Sequence, residues 1–141
     1  MDKFRFKVAP DRLYTEEGMW AKPETGRVRV GLSDFLQQRS GDVAFAEVKP
    51  AGACVKAGEE IASIETVKVN VSLGSPVAGR VAETNPALQG APEVINSDPY
   101  GDGWLAIVEA SDWPASQRCL LTPEAYLNVV KRLAGKEASR A

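Results

Sequence analysis

Lys68 stands in the run Glu65-Thr66-Val67-Lys68-Val69-Asn70-Val71. Strand alternation predicts that Val67, Val69 and Val71 share one face while Lys68 and Asn70 project from the other. The lysine is thus held out into water on a β-branched platform. Lysine side chains in water keep their proton up to about pH 10.4. Nothing near this one in sequence supplies the burial or like charge that tunes a Schiff-base lysine. It is a poor nucleophile in its own right, but an enzyme can acylate it, and its flexible stem then becomes the base of a swinging arm. An unmodified lysine at this place has a plainer use, since it deters strand-to-strand aggregation at a sheet edge.

Few other residues offer chemistry. The chain has no histidine, which removes Ser-His-Asp and Cys-His catalysis and the commonest metal ligand. Cys54 and Cys119 are the only thiols, too few for a structural zinc site built on four Cys or His ligands. They read either as small apolar packing residues or as thiols able to meet a bound arm. No catalytic cluster and no metal site is expected, so any reactive group must be one attached to the protein.

The elements that must hold Lys68 are short. Phe4, Phe6 and Val8 alternate with Arg5 and Lys7, predicting a strand over Phe4–Val8, and Val28, Val30 and Leu32 alternate in the same way. Ser33 or Asp34 is placed to cap a helix through Phe35, Leu36 and Gln38 that ends at Gly41-Asp42. Strand-like runs follow at Val43–Val48, Glu60–Glu65, Val67–Leu73, Gly79–Glu83 and Trp104–Glu109. A turn and a short helical piece fall within Asn85–Asn96. Thr122 as N-cap, Pro123 at the first helical position and Tyr126, Val129, Val130 and Leu133 at helical spacing predict an amphipathic C-terminal helix, stopped by Gly135 and followed by a frayed tail over 136–141. Trp20, Trp104 and Trp113 read as core or half-buried packing groups.

Length and composition fit one such unit. The 141 residues predict a single domain, with its core over about 14–130. With 44% hydrophobic and 26% charged residues the chain is built to bury a core. A net charge of -2 argues against nucleic acid or anionic lipid as partner. No run approaches the roughly 20 apolar residues needed to span a bilayer, and the start Met1-Asp2-Lys3-Phe4-Arg5 lacks the apolar stretch of a signal peptide. These features point to the cytoplasm, where two cysteines stay reduced.

The run from Val55 to Val69, followed by Ser75-Pro76-Val77-Ala78-Gly79-Arg80-Val81, resembles the biotinyl/lipoyl-domain family, and within it the glycine cleavage H proteins. Three further segments carry the narrower likeness: Val30-Gly31-Leu32-Ser33-Asp34-Phe35 ahead of Gly41-Asp42-Val43, Asn85-Pro86-Ala87-Leu88, and Asn96 through Leu105. The resemblance implies a mostly β fold, a flattened β-barrel or sandwich with short helices and a C-terminal amphipathic helix, and lipoic acid in amide linkage on Lys68 at a hairpin tip. It implies a lipoate-attaching enzyme as partner, with Glu65, Thr66, Val67 and Val69 as what that enzyme recognises, although Glu65 also reads as a simple strand-end residue. A biotin carrier is expected to show Ala-Met-Lys-Met, whereas this chain has Thr66-Val67-Lys68-Val69.

Two departures bear on which carrier this is. Where family members carry His-Glu-Trp, this chain reads Gly18-Met19-Trp20, and Cys54 and Cys119 look additional. In both respects it is similar to the H-like lipoate-binding proteins of cytoplasmic sulfur oxidation. That likeness implies a swinging arm engaged in thiol–disulfide exchange with a heterodisulfide-reductase-like complex. The alternatives are a glycine cleavage carrier of an aminomethyl group, with the glycine cleavage enzymes and dihydrolipoamide dehydrogenase as partners, and an unmodified barrel that only binds.

Overall fold

The alternating apolar residues close into two antiparallel sheets. The computed structural model describes residues 6–140, with side chains through residue 135. Strands β1 (Leu13–Tyr14), β2 (Met19–Glu24) and β3 (Arg27–Leu32) lead into α1 (Asp34–Ser40). Then come β4 (Val43–Val48), β5 (Cys54–Val55), β6 (Glu60–Thr66), β7 (Asn70–Gly74) and β8 (Gly79–Thr84). Helices α2 (Ala87–Gly90) and α3 (Val94–Ser97), strand β9 (Ala106–Ala110), and helices α4 (Trp113–Cys119) and α5 (Pro123–Arg140) complete the chain. The larger sheet has the order β1-β2-β3-β9-β8-β5 and the smaller β4-β6-β7. The expected barrel or sandwich is therefore present in its open form: among the described residues both sheets keep two edges.

One apolar core lies between the sheets, because the inward residues of each strand are aliphatic. Val28 and Val30 of β3, Val81 of β8 and Val108 of β9 meet Val43 of β4, Ile61 and Ile64 of β6, and Leu73 of β7. Burying a side chain of this size is worth about 1.5–3 kcal/mol. A second, aromatic cluster gathers Tyr14, Trp20, Phe35, Tyr126 and Val130 and docks α5. Tyr14 stacks on Tyr126 with ring centroids 4.4 Å apart. The Tyr126 hydroxyl shares a hydrogen bond of 2.7 Å with Ser33 Oγ. Ser33 is also the N-cap of α1, accepting from the Leu36 N–H, so one hydroxyl starts one helix and anchors another.

Several expectations shift. Residues 4 and 5 lie outside the described part, and Phe6–Val8 is not a strand. Phe6 packs edge-on against Phe35, and the Lys7 backbone bonds Asp34 and Tyr100, so tertiary contacts replace a ladder. The run Val67–Leu73 becomes a turn followed by β7 from Asn70. The helical piece after Asn85 is two helices, α2 and α3. Helix α5 passes Gly135 and continues to Arg140, so it is not stopped there, and 136–140 are helical rather than frayed. A glycine inside a helix costs only about 1 kcal/mol against alanine, and Lys136, Glu137 and Ala138 favour helix. Residue 141 lies outside the described part. No helix of the described residues is long and apolar enough to cross a membrane.

Candidate functional site

Strands β6 and β7 form a hairpin, with Ile64 opposite Val71 and Glu65 opposite Asn70, and Lys68 sits in the turn that joins them. The turn is organised by Thr66. Its backbone N–H donates to the Val69 carbonyl at 2.8 Å, and its hydroxyl donates to the same carbonyl at 3.0 Å. The hydroxyl oxygen in return accepts from the N–H groups of Lys68 at 3.2 Å and Val69 at 3.0 Å. The Val67 N–H donates to the Asp42 carbonyl at 3.2 Å. All three N–H groups of Val67, Lys68 and Val69 are thereby satisfied, which fixes the turn.

The bend after α1 lies beneath this turn. Gly41 closes the helix at φ 97°, a conformation that favours glycine, and its N–H donates to the Gln37 carbonyl. A methyl group placed on Gly41 would lie 3.5 Å from Cδ and Cε of Lys68, so the lysine stem runs along the bare glycine face. The stem is supported while the amine projects. Among the described residues no carboxylate lies within ion-pair reach of that amine.

The predicted valine platform is not what surrounds the lysine. Val67 and Val69 belong to the turn and not to one strand face; they are 75% and 52% exposed. Val67 and Val69 flank Lys68 in the turn, and Phe45, opposite Glu65 on β4, is 68% exposed. Glu65 is exposed, between Phe45 and Asn70 in the sheet. Two hollows flank the hairpin. A groove of about 450 Å³ lies between β4 and α2, lined by Phe45, Glu47, Glu65, Asn85 and Leu88. A cavity of about 120 Å³ lies against β7, lined by Glu17, Met19, Leu36, Val71 and Ser72.

The two cysteines are not packing residues, because both are exposed free thiols. Neither sits on the hairpin that bears Lys68. Cys54 is opposite Arg80 at the β5 edge of the larger sheet, before the loop that enters the base of β6. In chain order β6 begins after that loop, and Lys68 follows the other end of β6. Cys119 ends α4. No group of three or more metal-ligating side chains occurs among the described residues.

Sequence reasoning located Lys68 and its neighbours but missed what holds them: the Thr66 hydroxyl, the Asp42 carbonyl and the Gly41 face. A threonine two residues before the lysine at the end of a β run is the signal that was available, since Ser and Thr hydroxyls cap turns. Trp20, the retained member of the altered trio, is fully buried and donates from its indole to the Leu32 and Pro99 carbonyls. Gly18, in the same trio, has φ 108°, and a methyl group there would come within 2.9 Å of Leu36 Cβ and the Tyr126 hydroxyl. The departure at this position is therefore built into the packing of α5.

Comparison with known proteins gives one answer. The family model for the glycine cleavage H-protein matches residues 12–133. A glycine cleavage system H protein of Coprothermobacter proteolyticus is 44% identical over 107 residues, covering 75% of this chain and 84% of the relative. One of Rubrobacter xylanophilus is 42% identical over 120 residues, covering 85% and 92%. The crystal structure of a glycine cleavage system H protein from Mycobacterium marinum is similar, with TM-score 0.76 and 32% identity over 86% of this chain and 97% of that one. Such H proteins carry lipoic acid covalently on a lysine and have no catalytic activity of their own. The match over 12–133 and the identities above 40% make this chain a member of the glycine cleavage H-protein family.

Proposed function

We propose that Lys68 is the lysine that carries lipoic acid here, and that the protein presents this group as a swinging arm to enzymes that act on it. The observation that carries the reading is an exposed, unpaired lysine amine on a hairpin turn whose N–H groups are all bonded. These residues fit the group: the amine is free to form an amide, the stem lies on Gly41, and the exposed Val67 and Val69 flank the lysine in the turn. When bound, the dithiolane supplies the redox and group-transfer chemistry that no side chain of this protein offers. The protein's own residues do three things. Thr66 and Asp42 hold the turn, Gly41 leaves room for the stem, and Phe45, Val67 and Val69 with Glu65 offer a surface for the lipoate-attaching enzyme. Tethering keeps the group at high effective concentration at each partner.

The relatives' names favour the glycine cleavage enzymes as those partners over the sulfur-oxidation complex preferred from the sequence. A second reading as a sulfur-oxidation carrier keeps support from two observations: both added cysteines are exposed thiols, and Gly18 leaves no space for a histidine. Mass spectrometry of the intact protein from its host tests the shared part. One lipoyl group is expected on the wild type and none on Lys68→Arg; a wild type without the group overturns the proposal. Loading by glycine decarboxylase then separates the two destinations. Rapid aminomethyl loading supports glycine cleavage, and failure to load, with reduction by a heterodisulfide-reductase-like complex, supports sulfur oxidation.

A further inference from the structure

The bend that supports the lysine turn is itself clamped from a distant part of the chain. Asn96, in α3, makes three side-chain amide hydrogen bonds around this bend. Its Oδ1 accepts from the Val43 N–H at 2.8 Å. Its Nδ2 donates to the Gly41 carbonyl at 3.0 Å and to Gln37 Oε1 at 2.9 Å. Gly41 and Val43 are thus held from both sides, and the residue between them is Asp42, whose carbonyl receives the Val67 N–H. Resting on the reading of Lys68 as the lipoyl site, we infer that Asn96 is a positioning residue for lipoylation, fixing the Gly41–Val43 bend and through it the attitude of Lys68.

The residue type is specific to the task. Aspartate keeps an acceptor for Val43 but turns an oxygen toward the Gly41 carbonyl, and serine is too short to reach all three partners. Loosening the clamp lets the bend move, so the turn samples more orientations. The fraction able to enter the attaching enzyme then falls, and KM rises in proportion while the chemical step is unchanged.

The molecule supplies its own control. Asn85 makes the same three kinds of bond, donating to the Asp102 and Trp104 carbonyls and accepting from the Ala87 N–H, but none of its partners belongs to the Gly41–Val43 bend. Asn85→Asp therefore repeats the chemical insult without touching the Gly41–Val43 bend, and, because Asn85 lines the groove beside Phe45 and Glu65, it serves as the control for Val67 exchange and not for KM. Purified wild type and Asn96→Asp are compared below their unfolding midpoints as substrates of a lipoate-attaching enzyme, and both, with Asn85→Asp, by amide hydrogen exchange at Val67. Asn96→Asp is expected to raise KM about tenfold with kcat within about twofold, and to speed Val67 exchange about tenfold, while Asn85→Asp leaves Val67 exchange unchanged. Asn96→Ser serves the same test where the aspartate variant folds poorly. A KM for Asn96→Asp equal to that of the wild type, or Val67 exchange no faster than in Asn85→Asp, overturns the inference. A wild type that accepts no lipoyl group defeats the reading of Lys68 instead, and the exchange measurement still decides whether Asn96 holds the turn.

Discussion

A single hydroxyl organises the turn on which the reading of Lys68 depends. Thr66 Oγ donates once and accepts twice, all within the turn, so its removal leaves two N–H groups to water and one carbonyl with fewer partners. Thr66→Val keeps the shape and the β-branching and deletes only the oxygen. Each hydrogen bond is worth about 0.5–1.5 kcal/mol net, with exposed ones at the low end, so global stability is expected to fall by about 1 kcal/mol. Local order should suffer more than that. The checks are a thermal unfolding midpoint a few degrees lower, faster exchange at the Lys68 and Val69 amides, and a reduced rate of lipoylation. The same residue shows why the tip was only partly legible in sequence. Val67, Val69 and Val71 carry the β-branched alternation of a strand, but the Thr66 hydroxyl turns the chain before that preference can act. Propensity is a weak prior that a local side-chain bond overrides.

At the scale of elements, the strands with aliphatic alternation and the capped helices α1 and α5 were readable, because each announces itself within a few residues. Strand β2 was not. It contains Pro23, which breaks a central-strand pattern, yet β1 pairs only with Trp20 and Ala21, so the missing N–H of Pro23 faces no neighbour. Helix α4 was missed although Asp112 caps it and Pro114 lies in its first turn. Its seven residues include none that is buried, so it has no apolar stripe long enough to read. The docking of α5 depends on a contact between residues 33 and 126, which no local pattern shows. That contact has a pH signature. Burial pushes the Tyr126 phenol up to about 12 from an ordinary value of 10.0, and burial raises Tyr14 in the same direction. The folded state therefore holds these protons more tightly than the unfolded chain. Their contribution is complete below about pH 10, and Tyr126's share is lost as pH rises from about 10 toward 12. Denaturant titrations across that range should show stability falling, and Tyr126→Phe should show a shallower fall from a lower starting point, because it also loses the bond to Ser33.

For the whole molecule, the two sheets divide the work. The larger sheet and the aromatic cluster hold the rigid body, and the smaller sheet projects the hairpin whose tip bears Lys68. The cysteines, which sequence reading allowed near the arm, belong to elements other than the hairpin, Cys54 to β5 and Cys119 to the end of α4. No sequence pattern reports that placement, because it depends on which strands pair across distant parts of the chain.

The exposed side chains Phe45, Val67 and Val69 also bear on colloidal behaviour. In the bare protein the two valines flank the Lys68 ammonium group in the turn, and a charge beside apolar side chains keeps such surfaces apart. Acylation turns that ammonium into a neutral amide and adds a hydrocarbon chain, so the patch grows while its cation disappears. On a hydrophobic interaction column the lipoylated protein should therefore elute later than the bare one, and Phe45→Ser should shorten the retention of both. If Lys68 bears the lipoyl group as proposed, the tip is expected to become more apolar on attachment, and the shift in retention measures that change.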